Sequence, residues 1–209
     1  MIETTVLDRT HQSLCKAFFA RFPPEISEHT FTNLFVWRSS RPVYFAEKDN
    51  SLFFLVDAMG SANGRKVLFG PPVGEVSLSR AVEMFAGAID GAIRLPASTV
   101  KECIGKGFDL LEDRANADYV YLVEDLAGLA GRRYAKKRNQ IKKCLKAYSC
   151  LYEPITADLV PQCLDLQQRW CASRSCDTEP GLCAEYKAIV SMFDIRLLSA
   201  CLNTFPSWI

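Results

Sequence analysis

Three short runs of β-branched and aromatic residues, Val43–Glu47, Ser51–Asp57 and Lys66–Phe69, limit the folds open to this chain more than any other stretch. Lys48-Asp49-Asn50 and Ser61–Arg65 separate them, and both spacers carry residues that favour turns. The three runs therefore predict an antiparallel meander. Helical periodicity flanks it. Asp8–Phe22 reads as a helix capped by Asp8 or Thr10, with Leu14, Ala17, Phe18 and Phe22 at helical spacing and Pro23-Pro24 as its stop. Ser27–Trp37 reads as a second, shorter helix with Phe31, Leu34 and Phe35 on one face.

After the meander, Ser77–Ala92 predicts a helix capped by Ser77, and Ala97–Lys106 a shorter one closed by Gly105 and Gly107. Phe108–Leu111 and Tyr119–Val123 read as two more strands of the same sheet. Leu126–Tyr148 reads as one long helix with Asp125 as its cap, followed by a strand at Cys150–Glu153. Helices at Thr156–Ser173 and Gly181–Phe193 come next, with Pro161 in an early turn of the first of these, where a missing N–H costs least. A last strand is expected at Arg196–Leu202, and Asn203–Ile209 reads as a tail. This order predicts an α+β fold with a mixed α/β sheet covered by helices.

About half of the 209 residues are hydrophobic (49%), enough for a core, which excludes a chain that is disordered throughout. The longest apolar runs, such as Leu52–Val56, fall far short of the roughly 18 residues that a membrane span needs. Met1–Thr10 has no apolar stretch of the kind a secretory leader carries. The chain has nine cysteines. An odd number of thiols without a leader predicts a reducing, cytoplasmic setting with free cysteines. Cys171, Cys176 and Cys183 form the one tight cluster, but lack CxxC spacing and a nearby histidine, so they read as small buried residues on helices rather than zinc ligands.

The charge pattern is the strongest functional signal. Between Leu129 and Tyr148 stand eight basic residues and no acidic one: Arg132, Arg133, Lys136, Lys137, Arg138, Lys142, Lys143 and Lys146. At about 100° per residue, Ala130, Tyr134, Ile141, Leu145 and Tyr148 gather on one face of a helix. Arg132, Arg133, Lys136, Lys143 and Lys146 gather on the other, while Lys137 falls in the apolar arc and Arg138 at its margin. A merely solvated face would mix signs, because like charges four residues apart repel. The stripe therefore predicts a polyanion partner: nucleic-acid phosphates, lipid headgroups or the phosphates of an activated donor. No phosphate-binding, zinc-protease or nucleophile-elbow motif accompanies it. Phe69-Gly70-Pro71-Pro72-Val73-Gly74 reads as a rigid turn, since two prolines remove two N–H donors. His11 and His29 read as structural.

Four blocks resemble a known family: Thr30-Phe31-Thr32-Asn33-Leu34-Phe35-Val36-Trp37; Asp118–Tyr121 leading to Asp125–Leu129; Gly131-Arg132-Arg133 leading to Lys136-Lys137-Arg138-Asn139; and Tyr152–Thr156. They are similar to bacterial proteins related to the C-terminal domain of phosphatidylglycerol lysyltransferase. The resemblance implies tandem folds of the acyl-CoA N-acyltransferase type: a first domain over 1–125, a basic linking helix over 126–148, and a partial second domain over 149–209 that stops before its donor cleft. It implies an acyl- or aminoacyl-transferase with an acyl-CoA or aminoacyl-tRNA donor, its phosphates held by Arg132, Arg133, Lys136, Lys137, Arg138, Asn139, Lys143 and Lys146. The same residues suit a non-catalytic module, or a truncated remnant, that binds tRNA or an anionic lipid headgroup. An incomplete sheet edge would suit a homo-oligomer.

Overall fold

The computed structural model describes residues 2–58, 64–174 and 180–200. Part of the expected Ser61–Arg65 turn, Cys176, Cys201, Leu202 and the Asn203–Ile209 tail lie outside the described residues. The chain divides into two compact units, one made of residues 2–112 with 160–200 and the other of 113–159.

The first unit opens with strand β1 (Thr5–Val6) and helix α1 (Gln12–Arg21), which a 3-10 turn at Arg9–His11 introduces. Asp8 caps that turn, accepting from the Thr10 N–H at 2.8 Å. Helix α2 (Phe31–Val36) is capped by Thr30, whose hydroxyl accepts from the Asn33 N–H at 3.1 Å. The expected meander follows as β2 (Val43–Lys48), β3 (Ser51–Asp57) and β4 (Lys66–Phe69), each antiparallel to its neighbour. A short β5 (Val73–Gly74) returns to pair with β3. Helix α3 (Leu78–Met84), capped by Ser77, then leads to β6 (Ile89–Ile93), which lies parallel to β4. The sheet order is β1-β2-β3-β4-β6, with β5 beside β3. The sheet is thus mixed, as the element order predicts.

Two expectations fail here. The Ser77–Ala92 helix stops at Met84, and its second half is the strand β6. The segments Phe108–Leu111 and Tyr119–Val123 form no strand; Val120 is 91% exposed and has no ladder to join. The sheet takes its further strands from β1, β5 and β6 instead. Between β6 and residue 112 there is one short helix, α4 (Ala97–Lys101).

Period-two alternation along β3 builds the core. Leu52, Phe54 and Val56 point to one face of the sheet, where they join Phe31, Leu34 and Phe35 of α2, Cys15 of α1 and Ala188. Phe53 and Leu55 point to the other, where they meet Leu78 and Ala81 of α3, Phe85, Ile89 and Cys103. The sheet is covered on both faces, which explains why β3 reads as an unbroken apolar run.

Ala188 belongs to the last helix of the unit. Helices α7 (Val160–Ser173) and α8 (Pro180–Ala200) pack on each other, and α8 packs on α2. Pro161 sits in the first turn of α7, as expected. Thr156 does not cap that helix; its hydroxyl bonds the Asp158 carboxylate at 2.6 Å. Residues 196–200, expected as strand, continue α8. Cys15 and Cys103 are buried free thiols, and burial pushes the Cys15 thiol up to about 12. Cys171 departs from the reading that every cysteine is free, because it is disulfide-bonded. Among the described residues no helix is long and apolar enough to cross a membrane.

Candidate functional site

The predicted polyanion site lies in the second unit, and its backbone differs from the expected one. Sequence periodicity gives one helix over Leu126–Tyr148; the structure gives two. Helix α5 (Val123–Gly128) ends where Leu129 turns left-handed, at φ 46°, and its N–H bonds the Asp125 carbonyl at 2.9 Å. Gly131 follows at φ 84°, then a 3-10 turn at Arg132–Tyr134, then helix α6 (Ala135–Ala147). Gly131 takes its left-handed backbone without a Cβ clash, while Leu129 fills the left-handed position that glycine usually takes after a helix. Asp125 lies in the first turn of α5 and does not cap the basic helix.

Asp125 instead draws in Arg133, at 2.5 Å from Nη2 to Oδ2. That contact raises the Arg133 guanidinium above its ordinary pKa, through the hydrogen bond first and the opposite charge second. Arg133 also lies over the ring of Tyr134, the one buried residue of this turn. Arg138, half-buried, donates from Nη1 to the Leu129 carbonyl and, at 2.7 Å, to the Gly131 carbonyl. It closes the end of α5 against the start of α6. Two of the eight predicted residues are therefore engaged with their own chain.

The other six are exposed: Arg132, Lys136, Lys137, Asn139, Lys143 and Lys146. Among the described residues no carboxylate pairs with any of the five cations in this set. Helical geometry places Lys136, Asn139, Lys143 and Lys146 along one face of α6. Lys137 is exposed, although it falls in the apolar arc. The arc itself does not face a core: Ile141, Leu145 and Tyr148 are all exposed. The expected strand at Cys150–Glu153 is also absent, and Leu151 and Tyr152 stand in solvent. Cys144 and Cys150 approach to 3.9 Å between sulfurs, both exposed and both free.

A second constellation lies in the first unit, and sequence reasoning alone does not find it. A cleft of about 400 Å³ is lined by Ser27, Glu28, Asn33, Trp37, Arg41 and Arg94. It stands at the carboxyl ends of the parallel pair β4 and β6. Phe69 ends β4, and the Arg41 guanidinium lies over its ring, 4.1 Å from the centroid. Arg94 follows β6 with a left-handed backbone, φ 58°, and its Nε stands 3.5 Å from Glu28 Oε1. Burial, then the like charge of Arg94, lowers the Arg41 pKa, and Glu28 acts in the opposite sense. Asn33 donates to the Ser27 carbonyl at 2.6 Å, which ties the start of α2 to the cleft rim.

His29 supports this rim from below. It is 1% exposed, and its Nε2–H donates to the Phe69 carbonyl at 2.6 Å, while Nδ1 has no hydrogen-bond partner among the described residues. Gly70 lies against it at φ 80°; a Cβ there would come within 2.3 Å of His29 Nε2. One signal for the cleft does exist in the sequence. Asn33 and Trp37 belong to the first of the blocks that carry the family resemblance. Arg41 and Arg94 have no such signal, because only the fold brings them together.

The model of the family described as phosphatidylglycerol lysyltransferase, C-terminal, matches residues 19–197. A search of curated proteins finds no match. Among solved structures, a conserved protein of unknown function from Bacteroides thetaiotaomicron VPI-5482 superposes with a TM-score of 0.79 at 28% identity, covering 95% of this chain and 69% of that one.

Proposed function

Because the chain belongs to the family of the phosphatidylglycerol lysyltransferase C-terminal domain, we propose that it is an acyl- or aminoacyl-transferase-like protein whose basic segment holds the phosphates of its donor, with tRNA the leading candidate. In such a reaction an amine or hydroxyl of the acceptor attacks the acyl carbon of the donor. The bond from that carbon to the donor oxygen or sulfur breaks, and the acceptor proton passes to the leaving group. The protein's share is chiefly to position both partners and to stabilise the oxyanion, so the chemistry needs no conspicuous triad.

The observation that carries this reading is the run of exposed lysines on α6, Lys136, Lys143 and Lys146 above all, with no carboxylate paired to them among the described residues. On the same reading the first unit is an N-acyltransferase-type fold, which its mixed sheet supports. The segment 126–148 is the link on that reading; the helices α7 and α8, which the reading assigns to a second such fold at 149–209, pack instead within the first unit. The separate clustering of 113–159 supports the linking role.

The test is binding of bulk tRNA across a salt series. Each phosphate bound by a lysine or arginine releases counterions, so affinity should fall steeply with salt. Replacing Lys136 and Lys143 with Ala together should flatten the slope by about one unit for each phosphate no longer neutralised, equally for unrelated RNA sequences. Arg133→Ala should move the slope less, because Asp125 already engages that charge. Absence of salt-sensitive binding to tRNA and to anionic vesicles would sink the proposal. Binding to vesicles alone would replace tRNA by a lipid headgroup. Titration with coenzyme A separates an acyl-CoA donor from an aminoacyl-tRNA one.

A further inference from the structure

We propose that the cleft between Trp37, Arg41 and Arg94 is a binding site for a singly charged oxyanion on a small organic molecule, a carboxylate or a phosphate diester. The inference does not depend on the basic segment of the other unit, nor on the donor assigned to it.

The cleft has the size of a small-ligand pocket, which typically spans roughly 300–1,000 Å³. Its place is also telling. Where parallel strands end, the chain leaves the sheet in different directions and opens a crevice beyond their carboxyl ends. The last link between β4 and β6 is the Gly70 N–H to the Ile93 carbonyl, 2.8 Å. Arg94 is the next residue.

Its side chain reaches the cleft from a left-handed backbone that a residue other than glycine adopts at a cost of order 1–3 kcal/mol. Strain of this kind persists where the surroundings enforce it, often at binding sites. Arg41 adds a second guanidinium, held flat by the Phe69 ring. Its Nε–H is buried and has no hydrogen-bond partner among the described residues. A guanidinium presents its N–H groups as a planar fork that matches two oxygens of one anion.

The charge balance sets the valence of the ligand. Arg41 and Arg94 face one carboxylate in the cleft lining, Glu28, so the lining carries a net charge of one positive unit. A monoanion cancels it. A phosphate monoester dianion would leave an excess negative charge against Glu28. Trp37 provides an apolar wall for the organic part of the ligand, as aromatic residues do in such pockets.

The test uses two probes, benzoate and dimethyl phosphate, titrated calorimetrically into the full chain and into Arg41→Gln and Arg94→Gln. The expected result is saturable binding of at least one probe, weakened by about tenfold or more in Arg41→Gln. Which probe binds tells a carboxylate ligand from a phosphate diester. Arg41→Lys keeps the charge but not the fork, and should retain only part of the affinity. Should Arg41→Gln fail to fold, Arg94→Gln and Arg41→Lys carry the same test. Failure of both probes to bind at millimolar concentration overturns the proposal, and so does equal binding by every variant. Loss of tRNA binding by Lys136 and Lys143 variants leaves these titrations unchanged, so the two proposals fail separately.

Discussion

His29 shows how one residue can be structural and still govern behaviour in solution. A carbonyl can only accept, so the bond to Phe69 fixes the proton on Nε2 and leaves Nδ1 bare. Burial pushes the pKa of His29 below its ordinary value of 6.5; the Phe69 carbonyl and the Glu28 charge oppose that shift. The sign of the linkage follows. The unfolded chain takes up a proton at this residue before the folded one does, so acid favours unfolding. The contribution of neutral His29 to stability is complete above the ordinary value. It is lost as pH falls below that value, by up to about 1.4 kcal/mol per pH unit until the lower native value is reached. Denaturant titrations of the wild type should show this loss, and His29→Gln, compared at each pH, should lack it. A wild type and variant with parallel pH profiles would contradict the assignment. The sequence marks His29 as structural from its place beside a cap. It cannot show the Phe69 carbonyl forty residues away, because that bond needs both α2 and β4 in place.

Elements are legible where periodicity, turn chemistry and length agree. The strands β2, β3 and β4 satisfy all three. Asp8, Thr30 and Ser77 cap helices because a short oxygen-bearing side chain there meets unpaired N–H groups; Asp8 and Ser77 are readable as caps from the sequence alone. Strand β6 reads as helix because Ile89 stands four residues after Phe85 and continues the apolar spacing of Val82, Phe85 and Ala86. That spacing fits two periods of a strand's alternation as well as one turn of a helix. Tyr119–Val123 and Cys150–Glu153 have strand composition, but no neighbour offers them a ladder. Composition reports a preference for a pleated surface and not the presence of a partner. The single basic helix fails for another reason: a favourable pattern runs across Gly128 and Gly131, where the backbone turns. Arg138 holds that turn together. Arg138→Ala should therefore destabilise the second unit by about 1.5–3 kcal/mol, the usual loss for hydrogen bonds from a charged donor. Faster amide exchange over residues 129–134 is the measurement that checks it. Lys136→Ala, on the same helix but exposed, should leave that exchange unaltered.

At the scale of the whole molecule, the first unit is built from two stretches of chain, 2–112 and 160–200, with 113–159 between them in sequence. The sheet and its mixed character are foreseeable from the order of elements. The return of the last helices to the first core is not, because a helix pattern says which face is apolar and not what covers it. Ala188 of α8 is 4% exposed and belongs to the cluster of Phe31, Leu34 and Phe35. Ala188→Asp places an unpaired charge there and should cost about 3 kcal/mol or more, seen as a lower thermal midpoint. An unchanged midpoint would mean that α8 is dispensable to the core. The same arrangement orders events during synthesis. A chain emerges from the ribosome amino end first. The strands β2, β3 and β4 and the apolar side of α2 are all outside the exit tunnel long before residue 188 is made. For that interval the nascent sheet has one face closed by α3 and the other lacking its α8 cover, so this protein cannot finish its first unit until α8 has been made. Its exposure to holding chaperones is thus set by the speed of the ribosome across the intervening segment.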